Sequence, residues 1–169
     1  FLKHVEIPLL QTWAGLDLVP HNQKYRVGTF GVYGSRLGNF VIQHADLVVC
    51  LGTRLSQNLT GGVLSSFAPN ARIVMVDADK GEMDKFDGYG IEISGRIQCL
   101  MGEFFDTAKA AIKHYKAPSI SAWLATIELW RLELPDDIPA VPADVENYVD
   151  AHHFVRQLSD VLADDEIIF

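Results

Sequence analysis

DLVVCLG (46–52) and RIVMVDAD (72–79) decide the fold. Each is a short apolar run rich in β-branched residues, and each ends on residues suited to a turn or a ligand rather than to further strand. Their apolarity is continuous rather than alternating, which predicts strands of a parallel sheet covered on both faces. IPLLQTW (7–13) reads as another buried strand. YGIEISGRI (89–97) reads as a weaker, edge strand, because its glycines lower β preference.

Helical patterns lie between these runs. NFVIQHA (39–45) sets Phe40, Val41 and His44 on one face, and QCLMGEFFDTAKAAIKHY (98–115) sets Leu100, Phe104, Phe105, Ala108 and Ile112 at three- and four-residue spacing. Strands alternating with helices predict βαβ units, hence an α/β class with a doubly wound parallel sheet. Beyond Tyr115 the character changes. SAWLATIELWRLELP (121–135) predicts an amphipathic helix that stops at Pro135, with Trp123 and Trp130 as packing anchors on one face. DDIPAVPADVENYVD (136–150) is acidic, contains proline and lacks periodicity, as linkers do. AHHFVRQLSDVLADD, from 151, predicts a helix with Phe154, Leu158, Val161 and Leu162 on one face, and EIIF a strand that stops without a turn. The expected division is a nucleotide-binding-like domain over 1–116, a helix and linker over 117–147, and the start of a further domain over 148–169, in a piece of a longer polypeptide.

Composition narrows the classes of partner. The chain has 169 residues, 49% hydrophobic, enough for a sizeable core. With 14 Lys and Arg against 22 Asp and Glu, its formal net charge is −8, and no basic block occurs; nucleic acid and anionic membrane are not expected partners. No apolar run reaches the roughly 18 to 20 residues of a membrane span, and no basic segment precedes an apolar one at the start. Cys50 and Cys99 sit in apolar stretches without CxxC spacing, the pattern of reduced thiols in a cytoplasmic protein.

Two constellations are candidates for ligand contact. GTFGVYGSRLGN (28–39) spaces glycines ahead of a helix, where backbone N–H groups can approach a ligand. It is not GxGxxG and no strand is evident before it, so glycines serving tight turns alone, with Asn39 as a plain N-cap, is an equal alternative. The second constellation is the set of strand ends, outside which ligands bind in open parallel sheets. Gly52, Thr53 and Arg54 follow one strand; Asp77, Ala78 and Asp79 end the next. An acidic residue there suits ribose hydroxyls, and an arginine suits phosphate or a flat ring. The plainer alternative is an Arg54–Asp77 ion pair at the sheet rim. His152 and His153, adjacent and about 100° apart on a helix, lack a carboxylate or thiol at ligand spacing. Asp136 with Asp137, and Asp164 with Asp165, read as solvated pairs. GxSxG, HExxH and GxxxxGK[ST] are absent, so the residues alone define neither a catalytic centre nor a metal site.

The strings from GVYGSRLGNF to VDADKGEMDKF (31–86) resemble the central domain of thiamine diphosphate-dependent enzymes of the acetolactate synthase type. That pattern runs GxxG, a helix, aDlvlxlGxR, tG and FapxAkiixvDxDxxEixk. It is met at Asp46, Gly52, Arg54, Thr60, Gly61, Phe67, Ala68, Asp77, Asp79 and Lys85. IPLLQTWAGLDLVP (7–20) resembles the family's second central-domain strand and the segment after it. The resemblance implies a Rossmann-like, six-stranded parallel domain whose first strand is missing, between two thiamine-binding domains outside these residues. It implies an enzyme that decarboxylates a 2-oxo acid such as pyruvate and passes the carbanion-like intermediate to a second carbonyl compound. Thiamine diphosphate and Mg²⁺ would be held by the other domains of a homo-oligomer, dimer or tetramer, and the fragment alone would be inactive.

Carried across, the flavin positions of such domains are Gly31, Val32, Tyr33 and Gly34, then Gly52, Thr53, Arg54, Leu55 and Ser56, then Asp77 and Ala78. FAD-holding members often continue GxRF with acidic residues and another arginine. This chain continues GTRLSQN, closer to the acetolactate synthase-like enzymes associated with polysaccharide biosynthesis, which leaves FAD, ADP or no ligand open. The alternative from another class is a stand-alone or regulatory nucleotide-binding module without catalysis. An NAD-dependent dehydrogenase domain is disfavoured by the missing GxGxxG.

Overall fold

The computed structural model of the protein describes residues 6–114, 118–135, 149–163 and 166. Both deciding runs form strands, β3 (Leu47–Leu51) and β4 (Arg72–Asp77), paired in parallel from Leu47 opposite Arg72 to Leu51 opposite Val76. β4 also pairs in parallel with β5 (Ile93–Gln98), giving the order β3-β4-β5. A second sheet pairs β1 (Leu9–Gln11) with β2 (Arg26–Thr29), again in parallel. Parallel strands linked through helices make the α/β fold that the alternation predicts.

β2 corrects the reading of the glycine series, which does follow a strand. RVGT is short, and only Val27 and Gly28 within it are buried, so no apolar run advertises it. The helix after the series is α1 (Arg36–Gln43), three residues earlier than the apolar spacing at 39–45 places it. Its N-cap is Ser35, whose Oγ accepts from Gly38 N at 2.9 Å, and not Asn39. The remaining α-helices among the described residues are α2 (Gln57–Thr60), α3 (Lys80–Asp84), α4 (Met101–Ile112), α5 (Ser121–Glu133) and α6 (Ala151–Val161). Leu100, placed on the face of α4 by spacing, is instead its N-cap, with its N–H donating to the Glu103 carboxylate at 3.2 Å. Phe104, Phe105, Ala108 and Ile112 are half-buried along one side of α4, as their spacing predicts.

Two buried clusters hold the larger unit, Phe1–Pro135. One joins Cys50, Ile73 and Met75 of the sheet to Phe30, Leu55, Phe67, Met83 and Phe86 from the loops and helices. The other joins Val27, Leu37 and Val41 to Ile127 of α5, with Trp123 and Trp130 packed against it. The two indoles meet edge to face at 5.4 Å, and Phe40 meets Trp130 at 4.7 Å, which makes the tryptophans packing anchors. Leu10 touches both clusters. Cover on both faces holds for β4 but not for β3. Leu47 and Val49 are each 46% exposed, whereas Ile73, Met75 and Val76 of β4 are buried.

The second unit is Asp136–Phe169. Its described part is α6, capped by Asp150, whose carboxylate accepts from the N–H groups of His152 and His153 at 3.0 Å each. Asp150 is thus the carboxylate neighbour that spacing did not assign to this histidine pair, and His153 Nδ1 lies 3.2 Å from it. EIIF and most of the 136–150 stretch lie outside the described residues. Among the described residues no helix is long and apolar enough to cross a membrane.

Burial pushes the Cys50 thiol up to about 12, while Cys99 is only half-buried. Ellman titration of the native protein at pH 8 is expected to show one fast thiol that Cys99→Ser removes, Cys50 reacting only on unfolding. The backbone N–H of His153, and then its ring, hold the Asp150 carboxyl below the usual range. Its stabilisation is therefore present above the ordinary aspartate range and lost as pH falls through the lowered value. Amide exchange at His152 and His153 is expected to speed up on that acid limb, and to be fast at every pH in Asp150→Ala.

Candidate functional site

Parallel pairing of β3, β4 and β5 brings their carboxyl ends to one edge, so residues 52–56, 77–79 and 98–100 are neighbours. Gly52 N still donates to Val76 O at 2.9 Å, after which Gly52 turns at φ 58° and the chain leaves the sheet. Leu55 comes next in a left-handed conformation, φ 44°, with a side chain only 1% exposed in the first cluster. A leucine with positive φ is costly, and here the core contact holds it. The effect is directional: Leu55 is anchored inward while Arg54, before it, is turned out with a side chain 78% exposed. Leu55 therefore offers a ligand its backbone alone. Ser56 then takes the N-cap position of α2, so LSQN is the entry to a short helix and not an open loop.

The glycine series comes to the same place from β2. Gly31, at φ 94°, lies so close to α2 that a Cβ there would sit 2.6 Å from Asn58 O. Val32 N donates to that same oxygen at 2.8 Å, tying the loop after β2 to the loop after β3. The Asn39 side chain closes the arrangement from α1: its Oδ1 accepts from Gly31 N at 2.8 Å, and its Nδ2 donates to Gly31 O at 3.0 Å. Gly38 lets α1 approach this closely, since a Cβ there would meet Thr29 O at 1.9 Å. Gly34 is likewise crowded, with Phe30 Cα 2.4 Å from a Cβ position. Val32 and Tyr33 stand on the outside of this turn, 69% and 70% exposed.

Arg54 does not pair with Asp77. Its Nε donates to Glu82 Oε1 on α3 at 3.1 Å, and its carbonyl oxygen accepts from Lys85 Nζ. Lys85 also holds Glu82 Oε2 at 2.6 Å. Lys85, and after it the charge of Arg54, keeps the Glu82 carboxyl below the usual carboxylate range. Asp77 Oδ1 accepts instead from Asp79 N at 2.9 Å, and Asp79 caps α3 through Gly81 N at 2.8 Å. Ala78 is exposed, its carbonyl accepting from Gln98 Nε2 at 3.3 Å. The backbone N–H groups of Tyr33, Thr53 and Arg54, and the Nη atoms of Arg54, have no hydrogen-bond partner within the described residues. Donors left open at strand ends, beside an arginine, suit a phosphate or diphosphate oxygen.

Nine of the eleven candidate positions therefore gather on two tied loops, and Asp77 with Ala78 on the next strand end. The residues missed by sequence reasoning that position them are Asn39, which holds Gly31, and Glu82, which holds Arg54. Gln11 is buried at the end of β1, where its Nε2 donates to Gly15 O at 2.8 Å and its Oε1 accepts from Arg26 Nε at 2.7 Å. Two surface hollows lie elsewhere, one around Gly88, Ile91 and Arg96, the other around Tyr25, Leu124 and Arg131. Among the described residues no group of three His, Cys, Asp or Glu side chains is placed to hold a metal ion.

A family profile described as thiamine pyrophosphate enzyme, central domain, matches residues 1–104. The chain is 28% identical over 142 residues to the acetolactate synthase isozyme 2 large subunit of Escherichia coli K12, covering 84% of this chain and 25% of that protein. It is 30% identical over 134 residues to the acetolactate synthase large subunit of Pyropia yezoensis (79% and 22%) and 30% over 141 residues to the mitochondrial acetolactate synthase of Schizosaccharomyces pombe (80% and 21%). The chain thus spans 21% to 25% of the length of these relatives.

Removing the Asn39 amide takes two hydrogen bonds from Gly31. Asn39→Ala is expected to lower the unfolding free energy by about 1–3 kcal/mol in urea titration, and Gly31→Ala, blocked by Asn58 O and by its φ, to lower it as well.

Proposed function

The chain belongs to the thiamine pyrophosphate enzymes, whose central domain it carries, and from that premise we propose that the whole protein is an acetolactate synthase-like carboligase. It would decarboxylate a 2-oxo acid such as pyruvate and join the remaining carbons to a second carbonyl compound, as a cytoplasmic homo-oligomer. Thiamine diphosphate, when bound, would supply the nucleophilic carbon and the electron sink that such a decarboxylation needs. Under this reading the diphosphate and Mg²⁺ are held by domains outside these residues, and residues 148–169 open one of them. Among the described residues β1 and β3 each pair along one edge, which leaves room for the further parallel strand this reading requires.

The part played by the chain itself is to bind the adenine-nucleotide portion of a ligand, FAD or ADP, across its strand ends. The observation that carries this is the outward Arg54, together with the open N–H groups of Tyr33, Thr53 and Arg54 on the two tied loops. The guanidinium and those donors would take the diphosphate, and Asp77 with the Ala78 backbone would face the ribose. Leu55 takes part only by shaping the loop, since its side chain is sealed in the core.

Two measurements test this. CO₂ release from pyruvate by the whole protein is expected to require thiamine diphosphate; its absence, with nucleotide binding intact, would favour the binding-module reading. Calorimetric titration with ADP is expected to show binding that Arg54→Ala weakens at least about tenfold, with Arg54→Lys in between because it lacks the planar fork. Equal affinity in all three proteins would remove the strand-end site.

A further inference from the structure

Glu82 lies outside the loops that would touch a nucleotide, yet both of its carboxylate oxygens are committed to residues that shape one of them. Oε1 accepts from Arg54 Nε at 3.1 Å, and Oε2 accepts from Lys85 Nζ at 2.6 Å. Lys85 in turn donates to the carbonyl of Arg54. The loop after β3 is thus fastened to α3 twice, once through the Arg54 side chain and once through its backbone. The Glu82 side chain is only 20% exposed, whereas that of Arg54 is 78% exposed, so the acid is the fixed member and the guanidinium the mobile one.

A guanidinium offers two faces for bidentate contact, the Nε side and the paired Nη end. Glu82 occupies the Nε side. The Nη end is left without a partner within the described residues. A long exposed arginine loses much rotamer entropy when it grips an anion, and a carboxylate that already holds Nε has taken up part of that loss beforehand. Lys85 balances the added negative charge and keeps Glu82 ionised, so the pair with Arg54 does not depend on the ligand.

We propose that Glu82, held by Lys85, is the positioning residue that pre-orients Arg54 so that its Nη end is presented to the diphosphate of an adenine nucleotide. This rests on the strand-end reading above. It differs from the opposite role, in which Glu82 is a resident anion that the ligand must displace, because displacement would require the ligand to take the Nε side, which among the described residues Glu82 alone occupies.

The test is a double-mutant cycle read by ADP calorimetry on the protein, with Glu82→Ala, Arg54→Ala and the double variant. Glu82→Ala is expected to weaken ADP roughly three- to tenfold, the range an ordered charge pair supplies, and to have no further effect once Arg54 is alanine. Glu82→Gln, which keeps an oxygen for Arg54 Nε, is expected to recover part of the loss. Tighter binding in Glu82→Ala would overturn the proposal in favour of competition by Glu82. Equal losses with and without Arg54 would overturn it too, since Glu82 would then act through the fold alone. If the unmutated protein does not bind ADP, the strand-end reading itself falls and this inference with it; if it binds and Glu82→Ala binds equally, only the inference falls.

Discussion

The candidate site depends on β4 being paired in parallel on both sides. With β3 and β5 parallel beside it, the chain must leave the sheet three times along one edge, at Gly52, Asp77 and Gln98. Antiparallel neighbours would send alternate ends to opposite edges, and Arg54 would never face Asp77 and α3. Because every parallel connection needs a crossover, the helices after the strands begin at that same edge. The short helix α3 starts just beyond Asp77, which is how Glu82 and Lys85 come within reach of Arg54.

The strands that create this edge were legible in sequence for a physical reason. A central parallel strand is apolar throughout, and RIVMVD has Ile73, Met75 and Val76 all buried. β2 was not legible, because RVGT has one large apolar residue and the strand is defined by its pairing with β1. The apolar run of β3 was over-read: Val49 and Leu47 are apolar without being covered. Helix starts shifted for a similar reason. Ser35 caps α1 before any apolar periodicity begins, and spacing alone registers only the buried face.

The eleven candidate positions came from strand ends and from family resemblance, and the loops they occupy do meet. Their supports could not be read the same way. Asn39 holds Gly31 across eight positions and Glu82 holds Arg54 across twenty-eight, and neither separation is a local motif. An N-cap asparagine and an asparagine that clamps a preceding turn are the same letter in the same place. The difference lies in the nearby serine, which takes the cap and releases the amide for Gly31.

Leu55 shows how the loop after β3 is kept in shape. A left-handed leucine costs about 1–3 kcal/mol in backbone strain, and glycine would remove that cost. Glycine would also remove the side chain that is 1% exposed among Phe67, Met83 and Phe86, and with it the inward anchor of the loop. Burying a leucine contributes about 1.5–3 kcal/mol, which offsets the strain. Gly52 carries the turn that needs no anchor, at φ 58° with only Met101 nearby, and Leu55 the turn that does. Arg54 lies between the two and inherits its direction from both. Its outward guanidinium is therefore a consequence of core packing just past the strand, and the ion pair with Glu82 acts on a side chain whose backbone is already fixed.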